Sequence, residues 1–262
     1  MRGRSATAII SGWASTPPGS PFNMNAVELR GLTKKYEDFE AVSGLDLSVS
    51  TGEIFALVGP NGVGKSTTLK MIATILTPTA GTISVFGLDT VRDAARVREV
   101  ISYLPEEAGA YKNLTGREYL DFMAMVFLKD PARAAEAVKF GVELCGLGDK
   151  LREKIKTYSK GMARKLLLAR AVMIRPKLAI LDEPTSGLDI INGYEIRKTI
   201  KQLAAGGTTF IISSHNMAEI EFLSGRIAVI NKGKLLARDT PAALKAKFST
   251  QDLEEVFVEL AG

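Results

Sequence analysis

The 262-residue sequence contains one cysteine, one histidine and no uninterrupted apolar run of about 18 residues, the length that a bilayer-spanning helix needs. The single cysteine, Cys145, excludes an internal disulfide and is typical of proteins kept in a reducing compartment. Its apolar neighbours Val142, Leu144 and Leu147 predict a buried side chain rather than a nucleophile. Because no apolar run is long enough, we expect no segment that spans a membrane.

Charge of one sign is not in large excess either. The chain has 34 Lys and Arg against 29 Asp and Glu, a net charge of +5. This balance is compatible with acidic ligands or a membrane surface, but it is too small to indicate nucleic-acid binding. We expect no nucleic-acid partner.

The N-terminal segment is rich in Ser, Pro and Gly, above all over residues 15–21. Such composition is typical of flexible chain. We expect residues 1–23 to be disordered, and Met24 to be the natural start.

A glycine-rich motif dominates the rest of the sequence and matches the phosphate-loop pattern G-x-x-x-x-G-K-[ST] in full. An apolar run over 53–58 predicts a buried strand before it, and helical spacing over 68–76 predicts a helix after it. Strand, glycine-rich turn and helix form the context that the motif requires. Its residues are Gly59, Pro60, Asn61, Gly62, Val63, Gly64, Lys65, Ser66 and Thr67.

These residue types suit a nucleoside triphosphate. Glycines let backbone N–H groups approach phosphate oxygens, and a helix start adds further unpaired N–H donors. Lys65 is expected to reach the β- and γ-phosphates, and the Ser66 hydroxyl to bind Mg²⁺. An ordinary glycine-rich strand–helix turn is the alternative.

Two further strands are predicted to end in polar groups. The apolar run 177–181 ends in Asp182 and Glu183, and the β-rich run 208–213 ends at His215. Because open α/β sheets bind ligands at the carboxyl ends of their strands, Asp182 is placed to hold Mg²⁺ and Glu183 to activate a water. His215 is predicted to bond to the γ-phosphate, although a lone histidine can also be structural.

The sequence resembles the ATP-binding cassette (ABC) ATPases over about residues 25–262. The elements occur in the family's order: Tyr36 at the adenine-stacking aromatic, the phosphate loop, a signature over 158–162, the loop 186–189, and His215. The resemblance implies an α/β fold in which a RecA-like P-loop core sheet carries an N-terminal antiparallel β part and an inserted α-helical subdomain. We expect the ATPase domain over 24–240, the insertion at about 106–175 and a C-terminal helical tail over 241–262.

The resemblance also implies an assembly. Two subunits, in a homodimer or pseudo-dimer, would enclose two Mg-ATP, with Glu183 and His215 catalytic. The signature of each subunit would cover the nucleotide of its partner. The residues implied for that contact are Ser159, Gly161, Met162 and Asp189.

This chain departs from the family pattern at several positions. The usual Leu, second Gly and Gln of the signature are replaced by Tyr158, Lys160 and Met162. The Gln expected in the Q-loop is replaced by Glu106, whose carboxylate can still bind Mg²⁺ but would repel a metal-free triphosphate.

The segments 114–120, 158–162 and 253–257 resemble ATPase subunits of prokaryotic exporters, including antibiotic-resistance exporters, that have a separately encoded permease. The resemblance implies a cytoplasmic subunit held by its permease on the inner face of the membrane. One alternative is a soluble ABC ATPase that acts on ribosomes or nucleic acid. Another is a regulatory module without turnover, which Glu183 and His215 argue against.

Overall fold

The computed structural model describes residues 25–261, so the predicted disorder of residues 1–23 and the predicted start at Met24 lie outside the described residues. Two sheets and a set of helices make up this part of the chain. The strands are β1 Asn25–Tyr36, β2 Phe39–Ser50, β3 Ile54–Val58, β4 Ala80–Val85, β5 Leu88–Asp89, β6 Ile101–Leu104, β7 Leu178–Asp182, β8 Thr209–Ser214, β9 Arg226–Asn231 and β10 Lys234–Asp239.

The helices lie between the strands in sequence, and the last two follow β10. They are α1 Lys65–Ile72, α2 Ala94–Val100, α3 Gly116–Phe127, α4 Pro131–Cys145, α5 Lys160–Val172, α6 Ile190–Ala205, α7 Met217–Leu223, α8 Pro241–Lys247 and α9 Leu253–Ala261, with 3₁₀ turns at Gly148–Arg152 and Ile155–Thr157.

The larger sheet has the strand order β10-β9-β3-β8-β7-β6, in which all neighbours are parallel except the β9–β10 hairpin. The register pairs Val58 with Ser214, and Asp182 with Ser213. The carboxyl ends of β3, β7 and β8 therefore meet at one edge of the sheet. This edge carries the phosphate loop, Glu183 and His215.

The smaller sheet, β2-β1-β4-β5, is antiparallel and covers one face of the larger one. Alternation along β3 explains the layering: Phe55 and Leu57 pack into the core shared with the smaller sheet, whereas Ala56 and Val58 pack into the core shared with the helices. The predicted N-terminal antiparallel part and P-loop core sheet are confirmed.

The predicted helical block consists of α3, α4, α5 and the two 3₁₀ turns. Thr115 and Glu118 form a capping box at the start of α3, and Asp130 caps α4 ahead of Pro131. Cys145 ends α4 as a buried thiol, as its neighbours predict. Between residues 25 and 261, every helix is too short or too polar to cross a membrane.

The helix predicted over 68–76 needs correction. The helix after the phosphate loop ends at Ile72 rather than Leu76, because Thr74 adopts a φ of 61° and the amides of Ile75 and Leu76 donate back to the Lys70 carbonyl. Strand β1 continues to Tyr36. Helix α7 was not predicted from the sequence, although Asn216 caps it by accepting from the amide of Glu219.

The C-terminal helices α8 and α9 lie where the sequence predicts them. Leu244 of α8 and both Leu253 and Val256 of α9 are buried in the core beside the larger sheet. The division of the chain into an ATPase domain and a tail stays a prediction, and apolar contacts join the two parts.

Candidate active site

The phosphate loop connects β3 to α1 and needs glycine at two close approaches. A Cβ on Gly59 would lie 2.3 Å from the carbonyl oxygen of Ile230, and one on Gly64 would lie 2.3 Å from that of Ala41. Gly64 also has a φ of 103°, which L side chains rarely adopt. The loop is therefore held between β9 and β2 with its backbone exposed to the cavity above.

Lys65, the first residue of α1, is 5% exposed. Its Nζ donates to the carbonyl oxygens of Gly59 at 2.6 Å and Pro60 at 3.0 Å, and lies 3.6 Å from Oε1 of Glu183. Burial lowers the pKa of Lys65, and the nearby carboxylates of Glu183 and Asp182 oppose that shift. The ammonium therefore lies inside the phosphate loop, beside the carboxylate of Glu183.

Glu183 follows β7 in a left-handed conformation with a φ of 47°. Its amide donates to Oγ of Ser213 at 2.9 Å, so the neighbouring strand fixes the turn. Oε2 of Glu183 lies 2.9 Å from Nδ1 of His215. The carboxylate is thus placed between the phosphate-loop lysine and the only histidine of the chain.

Asp182 is the last residue of β7 and is 3% exposed. Its Oδ1 accepts from Oγ of Ser66 at 3.1 Å and from Oγ of Ser213 at 2.5 Å, while Oδ2 lies 3.4 Å from the Tyr103 hydroxyl. Burial raises the pKa of Tyr103, and the charge of Asp182 raises it further. Tyr103 and Ser213, which fix the orientation of this carboxylate, were not predicted from the sequence.

The Ser66 and Asp182 oxygens suit Mg²⁺, which prefers few protein ligands and completes its shell with phosphate oxygens and water. Within residues 25–261 there is no group of three or more His, Cys, Asp or Glu side chains that could hold a metal ion alone.

A cavity of about 400 Å³ lies above the phosphate loop. Tyr36 and Phe39 line one side, and Glu106 and Glu183 line another. The two aromatic residues face each other across the β1–β2 turn, and Phe39 was not predicted. Two half-exposed rings beside a phosphate site can stack on a planar base.

Glu106, the residue at the predicted Q-loop position, lies at the cavity, and its role as a metal ligand stays a prediction. Its carboxylate lines the same cavity and its Oε1 accepts from Oγ of Ser186 at 3.2 Å. The contact joins the Q-loop to the segment after Glu183. The direct contact with Ser66 is made by Asp182 instead.

The signature residues do not line this cavity. Ser159 caps α5 by accepting from the amide of Met162 at 3.2 Å, and Asp189 caps α6 by accepting from the amide of Asn192 at 2.9 Å. Gly161 leaves room for the Asn192 side chain, since a Cβ there would lie 2.5 Å from its Cγ. These residues form a second polar face, separate from the phosphate loop of the same chain.

Comparison with known proteins agrees with this geometry. Residues 42–186 match the family described as ABC transporter. The daunorubicin/doxorubicin resistance ATP-binding protein DrrA of Streptomyces peucetius is 39% identical over 87% of this chain and 69% of that protein. The linearmycin resistance ATP-binding protein LnrL of Bacillus subtilis (strain 168) is 34% identical over 88% of this chain and 75% of that protein.

Solved structures show the same fold. The ATP-binding subunit of an ABC transporter superposes with a TM-score of 0.80 at 28% identity, covering 90% of this chain and 99% of the other. A dimeric post-hydrolysis state of the ATP-binding cassette MJ0796, bound to ADP and Pi, has a TM-score of 0.73 at 23% identity, covering 82% and 98%. The chain therefore belongs to the ABC transporter family, as an ATP-binding subunit with ATPase activity.

Proposed function

We propose that the cavity above the phosphate loop hydrolyses ATP with Glu183 as the general base. The observation that carries this proposal is the position of the Glu183 carboxylate, 3.6 Å from Nζ of Lys65 and 2.9 Å from Nδ1 of His215. A carboxylate at that point can accept the proton of a water that attacks the γ-phosphate. Lys65 would stabilise the charge of the phosphates, and His215 would bond to the γ-phosphate.

Residues 59–67 bind the phosphates through backbone N–H groups, and Tyr36 stacks on adenine. Ser66 and Asp182 would hold Mg²⁺, with Glu106 as a further oxygen ligand on the rim of the cavity. When bound, Mg²⁺ neutralises charge on the β- and γ-phosphates. The contact between Ser66 and Asp182 supports this assignment.

We further propose that two ATPase subunits, identical or related, enclose two nucleotides. Ser159, Gly161, Met162 and Asp189 of one subunit would cover the ATP of the other. The capped start of α5 supports this role, since a helix N-terminus with a hydroxyl and bare N–H groups binds anions. Loss of the γ-phosphate would then release the pair.

The subunit would drive a separately encoded membrane permease, and export is the favoured direction. The names of the relatives support this proposal, because they include daunorubicin/doxorubicin resistance, linearmycin resistance and Nod factor export ATP-binding proteins. The subunit would then work in the cytoplasm, on the inner face of the membrane, bound to its permease.

The test is to compare the wild type with Glu183→Gln in steady-state ATPase assays and in size-exclusion chromatography with Mg-ATP. We expect a loss of turnover of about 10³-fold, because the amide cannot accept the proton. The variant should still bind Mg-ATP and should accumulate as a dimer. Glu136→Gln, an exposed carboxylate on α4, is the matched control and should behave like the wild type.

Normal hydrolysis by Glu183→Gln would contradict the assignment of the base. Absence of a dimer in both proteins would contradict the assembly. Purification of the tagged protein from its host then separates the transporter from the alternative: a permease in the membrane fraction supports transport, and ribosomes or nucleic acid support the soluble type.

A further inference from the structure

Arg164 of α5 is the most heavily bonded buried cation in the described part of the chain. It is 8% exposed, and its guanidinium donates to backbone carbonyl oxygens only. Nε donates to Pro184 at 2.8 Å, Nη1 to Pro105 at 3.2 Å and Glu106 at 3.1 Å, and Nη2 to Asp182 at 3.0 Å and Glu183 at 2.7 Å.

These bonds use all five N–H groups of a guanidinium. They join three segments that are distant in sequence: helix α5, the Q-loop at Pro105 and Glu106, and the turn that follows β7. No carboxylate of residues 25–261 forms an ion pair with Arg164. Its charge is therefore stabilised by carbonyl dipoles, with acidic side chains only at longer range.

The turn after β7 needs such support. Glu183 has a φ of 47°, a left-handed conformation that is unfavourable for a residue with a Cβ. Arg164 binds the carbonyl oxygen of Glu183 and those of the residues on both sides of it. The direction of the Glu183 carboxylate depends on this turn.

We propose that Arg164 is a positioning residue that ties Glu183 and the Q-loop to the signature helix. Ser159, which caps the start of that helix, lies five residues before Arg164. A nucleotide bound at the helix start by a second copy would therefore act, through α5 and Arg164, on the turn that aims the base of the first copy. Engagement of one composite site would prepare hydrolysis in the other.

The inference rests on the proposed function, because it takes Glu183 as the base. The first experiment measures kcat, KM and the Hill coefficient for Arg164→Met and Arg164→Lys. We expect kcat to fall about 10²-fold in Arg164→Met, as displacement of a catalytic group by about 1 Å does, with KM for ATP within about threefold of the wild type. The Hill coefficient should fall towards 1, since the link between the sites is lost.

Arg164→Lys keeps the charge but has three N–H donors for five carbonyls, so it should lose most of the activity as well. The matched control is Lys165→Met, which removes a cation from the next position of α5, where it pairs with Glu195 rather than with the site. Its kcat and Hill coefficient should stay at the wild-type values.

Chemical rescue separates positioning from support of the fold. A cavity of about 330 Å³, lined by Glu106, Lys160 and Leu188, lies beside Arg164 and gives small molecules access. Ethylguanidinium should restore turnover of Arg164→Ala several-fold, because it supplies the planar donors. Propylammonium, which has the same charge without that geometry, should not.

Three outcomes would overturn the inference, provided that Glu183→Gln still abolishes turnover. They are an unchanged kcat in Arg164→Met, a parallel loss of nucleotide binding and thermal stability in that variant, and equal rescue of Arg164→Ala by both cations. Full turnover in Glu183→Gln would contradict the proposed base instead. The two failures are therefore distinguishable.

Discussion

The phosphate-loop half of the site and the signature half are built in opposite ways. Lys65, Asp182 and Glu183 are each at most 5% exposed, and Ser66 contacts Asp182 across 116 residues of sequence. Ser159 and Asp189 are exposed, and their capping bonds reach only three residues along the chain. Buried contacts between distant residues hold the first half in place before a ligand binds, whereas local capping bonds hold the second half on an exposed surface.

The surroundings of the signature half agree with this difference. Ile190 and Ile191, next to Asp189 at the start of α6, are 87% and 73% exposed. Adjacent large apolar side chains on an open face are typical of a surface that another protein covers. The contrast predicts that damage to one half can be complemented by a second copy that carries damage to the other.

The strongest test of this comparison mixes two inactive variants. Lys65→Ala should lose about 10³-fold in turnover because it removes a preorganised cation, and Ser159→Ala should lose less because it removes one hydroxyl. In a random equal mixture of the two, about half of the dimers are mixed and each holds one intact composite site. Because the other site of such a dimer is damaged, the coupling proposed through Arg164 makes the intact site less active, so the mixture should rise above the average of the two variants to at most about a quarter of the wild-type activity. ATPase activity measured against mixing ratio checks this.

Activity that stays at the average of the two variants would contradict complementation between the two halves. Lys70→Met, on the same helix as Lys65 but outside the cavity lining, serves as the control for the first variant.

A second test addresses the metal in the buried half. Asp182→Asn keeps the side-chain shape but replaces the charged carboxylate, whose Oδ1 accepts from Ser66 and Ser213, with a neutral amide. We expect the Mg²⁺ concentration for half-maximal ATPase to rise at least about 10-fold, as it does when metal-site oxygens are weakened. A Mg²⁺ titration of turnover measures it, and Asp121→Asn on the surface of α3 should leave the midpoint unchanged.

A third, smaller effect is expected at the open mouth of the cavity. Tyr36→Ala should raise KM for ATP about 10-fold with little change in kcat, because stacking on a base contributes binding that is equal in the ground and transition states. Tyr36→Phe should retain the wild-type KM. If Phe39→Ala raises KM and Tyr36→Ala does not, the stacking residue has been wrongly assigned.

The smallest expected effect is a pH dependence of stability at Glu219 of α7, whose partner Ser214 ends β8 beside the phosphate-loop half. Glu219 is 2% exposed and accepts from Oγ of Ser214 at 2.6 Å. Burial raises its pKa, and the charge of Glu183 raises it further. Hydrogen bonds from Ser214 and Thr185 and the charge of Arg197 oppose this rise. A raised folded-state pKa contributes stability below the ordinary value of 4.5 that is lost as pH rises through the folded value. The Tm of Glu219→Gln relative to that of the wild type should therefore rise by about 2–4 °C as the pH is raised from 4.5 to 7.5.

Asp189 in the signature half should show the opposite sign. Hydrogen bonds from the backbone and side chain of Asn192 lower the pKa of Asp189, so its contribution is present above its ordinary value and is lost on acidification. Thermal melts of the wild type and Asp189→Asn, carried from neutral pH down through the ordinary value of 3.8, check this, because the difference in Tm should change only below that value. A Tm difference for Glu219→Gln that does not vary with pH would contradict the burial argument.

Much of the site could be predicted because its signals are local. The phosphate loop is a contiguous pattern, and Asp182, Glu183 and His215 each end an apolar run. Helix starts at Asp130, Ser159 and Asp189 follow from capping, which acts within three residues. The same capping signal at Asn216 was present but missed, which is why α7 was not predicted.

The sequence by itself determined the nucleotide loop, the acidic strand end and the order of the elements, because hydrogen bonds and side-chain periodicity along a few residues suffice for them. Only the tertiary structure decided that Tyr103 bonds to Asp182, that Phe39 joins Tyr36 at the cavity, and that Arg164 holds carbonyls 18 to 59 residues away. The pairing of β6 with β7 brings Tyr103 to Asp182, and the pairing of β1 with β2 sets Phe39 beside Tyr36. The carbonyls that Arg164 meets are selected by the packing of α5 against the sheet, and no local pattern records which backbone oxygens a buried guanidinium will meet.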